Sequence, residues 1–147
     1  MKTKNPAPML LEDQSRYDFS TTVEKVTEAA TKAGWKIPAT HDLQNTIRNF
    51  GKEILPVKIV EICHPKHSSR LLELDNERIV STFMPCRISI YEKSNGKVYI
   101  SRINAELISK NIGGLIEEVM SASNAEMEEM IRPLLTSPSQ TQRTICM

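Results

Sequence analysis

Apolar and polar positions along this chain follow two periods, and each predicts a kind of element. Ile88 and Ile90, then Val98 and Ile100, alternate with polar neighbours at the two-residue period of a strand. Between them stands Ser94-Asn95-Gly96, and Asn-Gly accepts the positive φ that a tight turn needs. The pattern predicts a hairpin with arms 86–92 and 97–102. Val57, Ile59, Val60 and Ile62 are branched and apolar on both faces, which predicts a central, largely buried strand over 57–62. Tyr17 and Phe19 share one face of an expected short strand over 16–20. Val23, Val26, Ala30 and Ala33 then recur at helical spacing, with Thr21 and Glu24 as a capping box and Gly34 as the stop. Trp35 to Thr40 reads as extended, with Pro38 placing it at an edge or a strand end.

The remaining segments are shorter. Leu43, Ile47 and Phe50 predict a helical turn ended by Gly51. Pro65 opens a short helix whose buried side is Leu71, Leu72 and Leu74, and residues 75–84 read as partly extended. After the hairpin the chain is helical: 104–110, a break at Gly113-Gly114, then 115–134, with Ser123-Asn124 as an expected division. The order of elements predicts an α+β two-layer domain, a mainly antiparallel sheet with helices on one face. Residues 1–15 read as an arm, 16–134 as the folded domain and 135–147 as a tail.

Composition narrows the function classes. The 147 residues carry a formal net charge of +1, with 39% hydrophobic and 25% charged residues. The cations are dispersed, so nothing predicts the concentrated basic surface that nucleic acid or an anionic membrane requires. No apolar run reaches the roughly 20 residues of a bilayer span, and MKTKNPAPMLLEDQ lacks the apolar core of a signal peptide. A cytoplasmic protein with reduced thiols is expected. Three cysteines, Cys63, Cys86 and Cys146, are an odd number for a disulfide framework.

FSTTVEKVTEAATKAGWKI, EICHPKHSSRLLE, PCRISIYEKSNGKVYIS and the trailing N-x-x-L helix start occur in an order that resembles the DUF302 family over residues 16–133. The resemblance implies a β-α-β(4)-α sandwich and frequent dimerisation. It implies no activity, because the family is defined without an established biochemical function. A homodimer is accordingly expected, with the Met-rich C-terminal helix as its other support.

Candidate chemistry gathers at two strand ends. Cys63 follows the predicted strand 57–62, and Cys86 opens the first arm of the hairpin. As antiparallel neighbours these strands bring Cys63 and Cys86 to one edge of the sheet. His67, four residues after Cys63 in the helix turn opened by Pro65, reaches the same edge. Thiolate and imidazole suit a metal ion such as zinc or copper, or haem iron, so Cys63, His67 and Cys86 are the expected metal ligands. His64, Met84 and Arg87 join them as expected ligand-binding residues. The spacing matches neither a standard zinc pattern nor C-x-x-C-H, and buried cysteines commonly serve as small hydrophobes. A second reading makes Cys63 a reactive thiol, its pKa lowered by the helix that Pro65 begins, carrying a persulfide or bonding transiently to Cys86. A third is an assembly or regulatory module without chemistry. His41-Asp42 reads as a polar strand end, the Glu-rich run 117–129 as a solvated helix face, and Arg87 and Arg102 as exposed strand residues.

Overall fold

The hairpin forms where the alternation places it. In the computed structural model, which describes residues 8–136, its arms are β4 (Cys86–Glu92) and β5 (Val98–Ile103), with Glu92 opposite Val98. Gly96 takes φ 81°, and Asn95 Oδ1 accepts from the backbone N–H of Lys97 at 2.9 Å. β3 (Val57–Ile62) pairs antiparallel with β4 in a register that sets Ile62 opposite Cys86. Two edge strands complete the sheet: β1 (Leu10–Gln14) beside β5, and β2 (Thr40–Asp42) beside β3. The order is β1-β5-β4-β3-β2, antiparallel throughout.

Period two then decides what each face does. Val60, Ile62, Ile88, Ile90 and Ile100 point to one face and are fully buried. Onto them pack α1 (Phe19–Lys32), through Val26 and Ala30, and α5 (Gly114–Ile131), through Met127 and Ile131. Burying one such side chain contributes about 1.5–3 kcal/mol, so this seam is the main source of cohesion. The opposite face carries Val57, Ile59, Ser89, Tyr91, Tyr99 and Ser101, none of them fully buried. β3 is therefore apolar on both faces but buried on one. The architecture is the expected α+β two-layer sandwich.

Short helices link the strands: α2 (Leu43–Asn49), α3 (Pro65–Leu72), α4 (Ala105–Ile112) and a 3₁₀ segment at Glu77–Phe83. α3 and the 3₁₀ segment enclose a second apolar cluster, in which Leu71 and Val80 meet Ile116 and Val119 of α5.

Several expectations change. The strand foreseen at 16–20 lies instead at 10–14, inside the expected arm, because Leu11 and Asp13 have partners in β5. Tyr17 and Phe19 flank a helix start whose N-cap is Asp18, its carboxylate accepting from the Thr21 N–H at 2.8 Å, in place of the Thr21–Glu24 box. Phe50 is 77% exposed, so α2 buries no apolar side. Leu74 is exposed, and residues 77–83 coil around the one buried side chain Val80 rather than extending. α5 runs unbroken through Ser123-Asn124, because Val119, Asn124, Met127 and Ile131 form one buried stripe. Arg102 is no exposed strand residue. Its side chain is 1% exposed and bridges Asp13 of β1 at 2.8 Å and Glu128 of α5 at 2.7 Å. Residues 135 and 136, placed in the expected tail, join the end of β1: Leu135 is bridge-paired with Ser15, and the Thr136 N–H donates to the Gln14 carbonyl at 3.0 Å. The rest of that tail, with Cys146, and residues 1–7 lie outside the described residues.

Candidate functional site

Two local devices bring the candidate residues to one end of the sheet. The β3–β4 register sets Cys86 against Ile62, one residue before Cys63. Beyond β3 the chain makes one more bridge, Cys63 to Lys36, with N–H to carbonyl distances of 2.9 and 2.7 Å. That bridge holds the 35–36 segment, and with it Trp35, beside the strand end. Pro65 then starts α3 with His64 as its N-cap, and the His64 side chain makes no capping bond. Its imidazole stands instead against the Trp35 ring, edge to face at 5.3 Å, with His67 at 5.3 Å on its other side.

Gly34 makes this stacking possible. It takes φ 89°, closing α1, and a Cβ there would stand 3.3 Å from His64 Nε2. Any side chain at 34 would strain the backbone and press on the imidazole.

These residues line a cavity of about 300 Å³ between the end of the sheet, α3, the 3₁₀ segment and α5. All six expected ligand-binding residues, Cys63, His64, His67, Met84, Cys86 and Arg87, are in its wall. Most of the remaining lining is apolar, including Ile62, Leu71, Val80, Val119, Met120 and Met127. Met120 and Met127 thus face the interior of this molecule, and Met130 packs beside the main core. Trp35 and Asn124 also line the cavity, and neither stood out in the sequence. Trp35 is the chain's single tryptophan, and its place after the helix stop Gly34 was the one available signal. Asn124 resembled a cap, and only its burial within α5 gives it a place in the wall.

The polar atoms of the wall are unevenly satisfied. Trp35 Nε1, His64 Nδ1 and Asn124 Oδ1 are buried without a hydrogen-bond partner. Buried polar atoms are nearly always bonded, so three orphans around one cavity require a reason. His67 Nε2 lies 3.0 Å from Glu126 Oε1 of α5, a charge contact too bent to satisfy the N–H. The His67 contact, aided by the charges of Lys66 and His64, holds the Glu126 carboxyl below its ordinary value.

The two thiols differ in their surroundings. Cys63 Sγ is 3.5 Å from Ser68 Oγ, and its backbone N–H belongs to the bridge with Lys36. It precedes the helix cap rather than occupying it. Burial pushes the Cys86 thiol above its usual value, and the neighbouring Cys63 adds to the effect, so Cys86 is held protonated. Among the described residues no three His, Cys, Asp or Glu side chains are placed to hold a metal ion together. The set Cys63, His67 and Cys86 shares a cavity without forming such a group. Also among the described residues, no helix is long and apolar enough to cross a membrane.

A two-layer α+β domain with a side-chain-lined cavity at one end of its sheet is the class these features define. The chain belongs to the family described as domain of unknown function DUF302, whose model matches residues 11–136. It is similar in fold to the crystal structure of an uncharacterized conserved DUF302 protein from Bacillus stearothermophilus. That likeness has a TM-score of 0.78 at 17% identity and covers 87% of this chain and 99% of the other. No curated protein matches the sequence.

Proposed function

We propose that this domain binds a small, mainly apolar molecule in the cavity beside Cys63 and Cys86. The observation that carries the reading is the set of three buried orphans, Trp35 Nε1, His64 Nδ1 and Asn124 Oδ1, around an otherwise apolar space. An apolar pocket with a few convergent polar groups is the usual form of a small-molecule site, and about 300 Å³ is at the lower end of the usual range. A small shift of these side chains would let the ligand's polar atoms complete bonds that the fold leaves open. Among the described residues no three side chains form a metal-holding group, so metal or haem binding at Cys63, His67 and Cys86 ranks below an organic ligand. A reactive-thiol role for Cys63 is the alternative, and Cys86, its proposed partner in a transient bond, is a buried thiol with a raised pKa.

The test uses 1-octanol as an apolar probe and the variant Ser123→Phe, which places a ring in the cavity. Octanol should raise the melting temperature of the wild-type protein and leave that of Ser123→Phe unchanged. Equal response of the two, or none in either, overturns the reading. Haemin and zinc titrations followed by absorption should show no stoichiometric complex; a one-to-one complex lost in both Cys63→Ser and His67→Ala would restore the metal reading.

The homodimer is proposed on a separate observation. Leu10 and Ile103 are register partners, 38% and 41% exposed, beside Tyr91 and Tyr99 stacked at 6.2 Å. A second copy would cover this uncovered sheet face. Light scattering showing a monomer at micromolar concentration would refute it.

A further inference from the structure

The cavity also has a sign. We infer that its ligand is an organic acid: one carboxylate on an apolar body of about ten heavy atoms, at roughly 30 Å³ per atom in a liquid-like packing. This rests on the ligand-binding reading above and specifies it. Among the described residues no aspartate or glutamate lines the cavity, whereas Arg87, His64 and His67 do. Glu126 and Glu61 stand 3.0 and 3.8 Å from His67 and Arg87 but outside the wall, so a cationic ligand would meet no carboxylate in the lining itself, and a buried charge without a partner is strongly disfavoured.

The orphans give the acid its orientation. Trp35 Nε1 is a donor and nothing else, so its missing partner is an acceptor. His64 Nδ1 donates in the matching tautomer or as the imidazolium. The two rings are in edge-to-face contact at 5.3 Å, so both donors belong to one corner of the wall. Trp35 is 3% exposed, which places this seat at the inner end. Arg87 and Phe83, both well exposed, form the rim, so the apolar body runs outward past them. Arg87 meets its own partner Glu61 only at 3.8 Å and adds a positive field at the entrance.

The experiment titrates the full chain at pH 7 with octanoate, 1-octanol and octylammonium. Melting temperature and the emission of Trp35, the single tryptophan, are the two readouts. Octanoate should bind about tenfold more tightly than octanol, the effect of one charge-assisted hydrogen bond. Octylammonium should bind most weakly. His64→Ala, with His64→Gln as a second variant should the first fail to fold, should remove the octanoate advantage, so that the ratio of octanoate to octanol affinity falls from about ten to about one whatever happens to either affinity alone. If octanol binds and octanoate gains nothing, the acid assignment falls while the cavity reading stands. If no probe binds, both fall. If Arg87→Ala removes the advantage and His64→Ala does not, the inner seat is wrong.

Discussion

At the scale of single residues, the features that matter most are those whose partners lie far away in sequence. Arg102 is the clearest case. Desolvation opposes its charge, but bonds to Glu128 and Asp13 outweigh it and keep the guanidinium firmly protonated. Arg102→Met would leave two carboxylates facing each other in the interior, and a loss of about 3–5 kcal/mol is expected by urea unfolding. Gly34→Ala should cost about 1 kcal/mol or more, because Ala resists a φ of 89°. It should also shift the Trp35 emission, as displacing His64 changes the indole's surroundings; an unchanged spectrum would show that the imidazole does not depend on Gly34. Asn124→Ala runs the other way. It removes an unpaired buried oxygen and adds a better helix former, so the ligand-free protein should keep its stability within about 1 kcal/mol. A larger loss would mean that Asn124 has a structural partner. None of these roles was legible from residue type. Arg102 reads as a surface arginine until β1 and α5 close over it, and Asn124 reads as a cap until its helix is seen to continue.

At the scale of elements, local pattern was informative wherever an element's own period decides its burial. β3, β4, β5, α1 and α3 lie close to their expected positions because alternation, Asn-Gly, Gly34 and Pro65 are local signals. The strand ends carrying Cys63 and Cys86 follow from the same pattern, so that part of the cavity wall could be read in advance. Another part comes from α4, α5 and the 3₁₀ segment, which are brought there by long-range packing. β1 was missed because its short run, Leu10–Gln14, alternates only weakly and depends on β5 for pairing. The contact between α3 and α5 is also pH-dependent. Glu126 has an ordinary value of 4.5 in the unfolded chain and a lower one when folded. Its contribution is therefore complete above that ordinary value and disappears as pH falls through the lower folded value. Because Glu126 is partly exposed, the contribution should be below about 1 kcal/mol. Glu126→Gln should flatten this part of the acid limb in pH-dependent thermal melts. An unchanged limb would show that the His67 contact does not stabilise the fold.

At the scale of the whole molecule, the two layers have different tasks. The covered sheet face supplies cohesion through Ile88, Ile90 and Ile100, and the end of the sandwich supplies the cavity. Cys86 belongs to both, since it packs against the core and lines the cavity. Its raised pKa gives a measurable consequence: iodoacetamide should modify Cys86 slowly at pH 7 and faster as pH rises, and rapid labelling at neutral pH would contradict its burial. The fold class was legible because its strands and helices announce themselves in order; the ligand class was not, because it depends on which polar atoms the packing leaves unpaired. The hairpin adds a practical consequence. Its turn at Ser94–Gly96 is exposed and lies at the far end of β4 from Cys86, roughly 20 Å away at 3.4 Å per residue. The cavity and the turn therefore lie at opposite ends of the hairpin. A tag, a fluorescent domain or new chain termini introduced at Asn95 would sit beyond the sheet's last paired residues, giving a fusion point that leaves the cavity's geometry untouched.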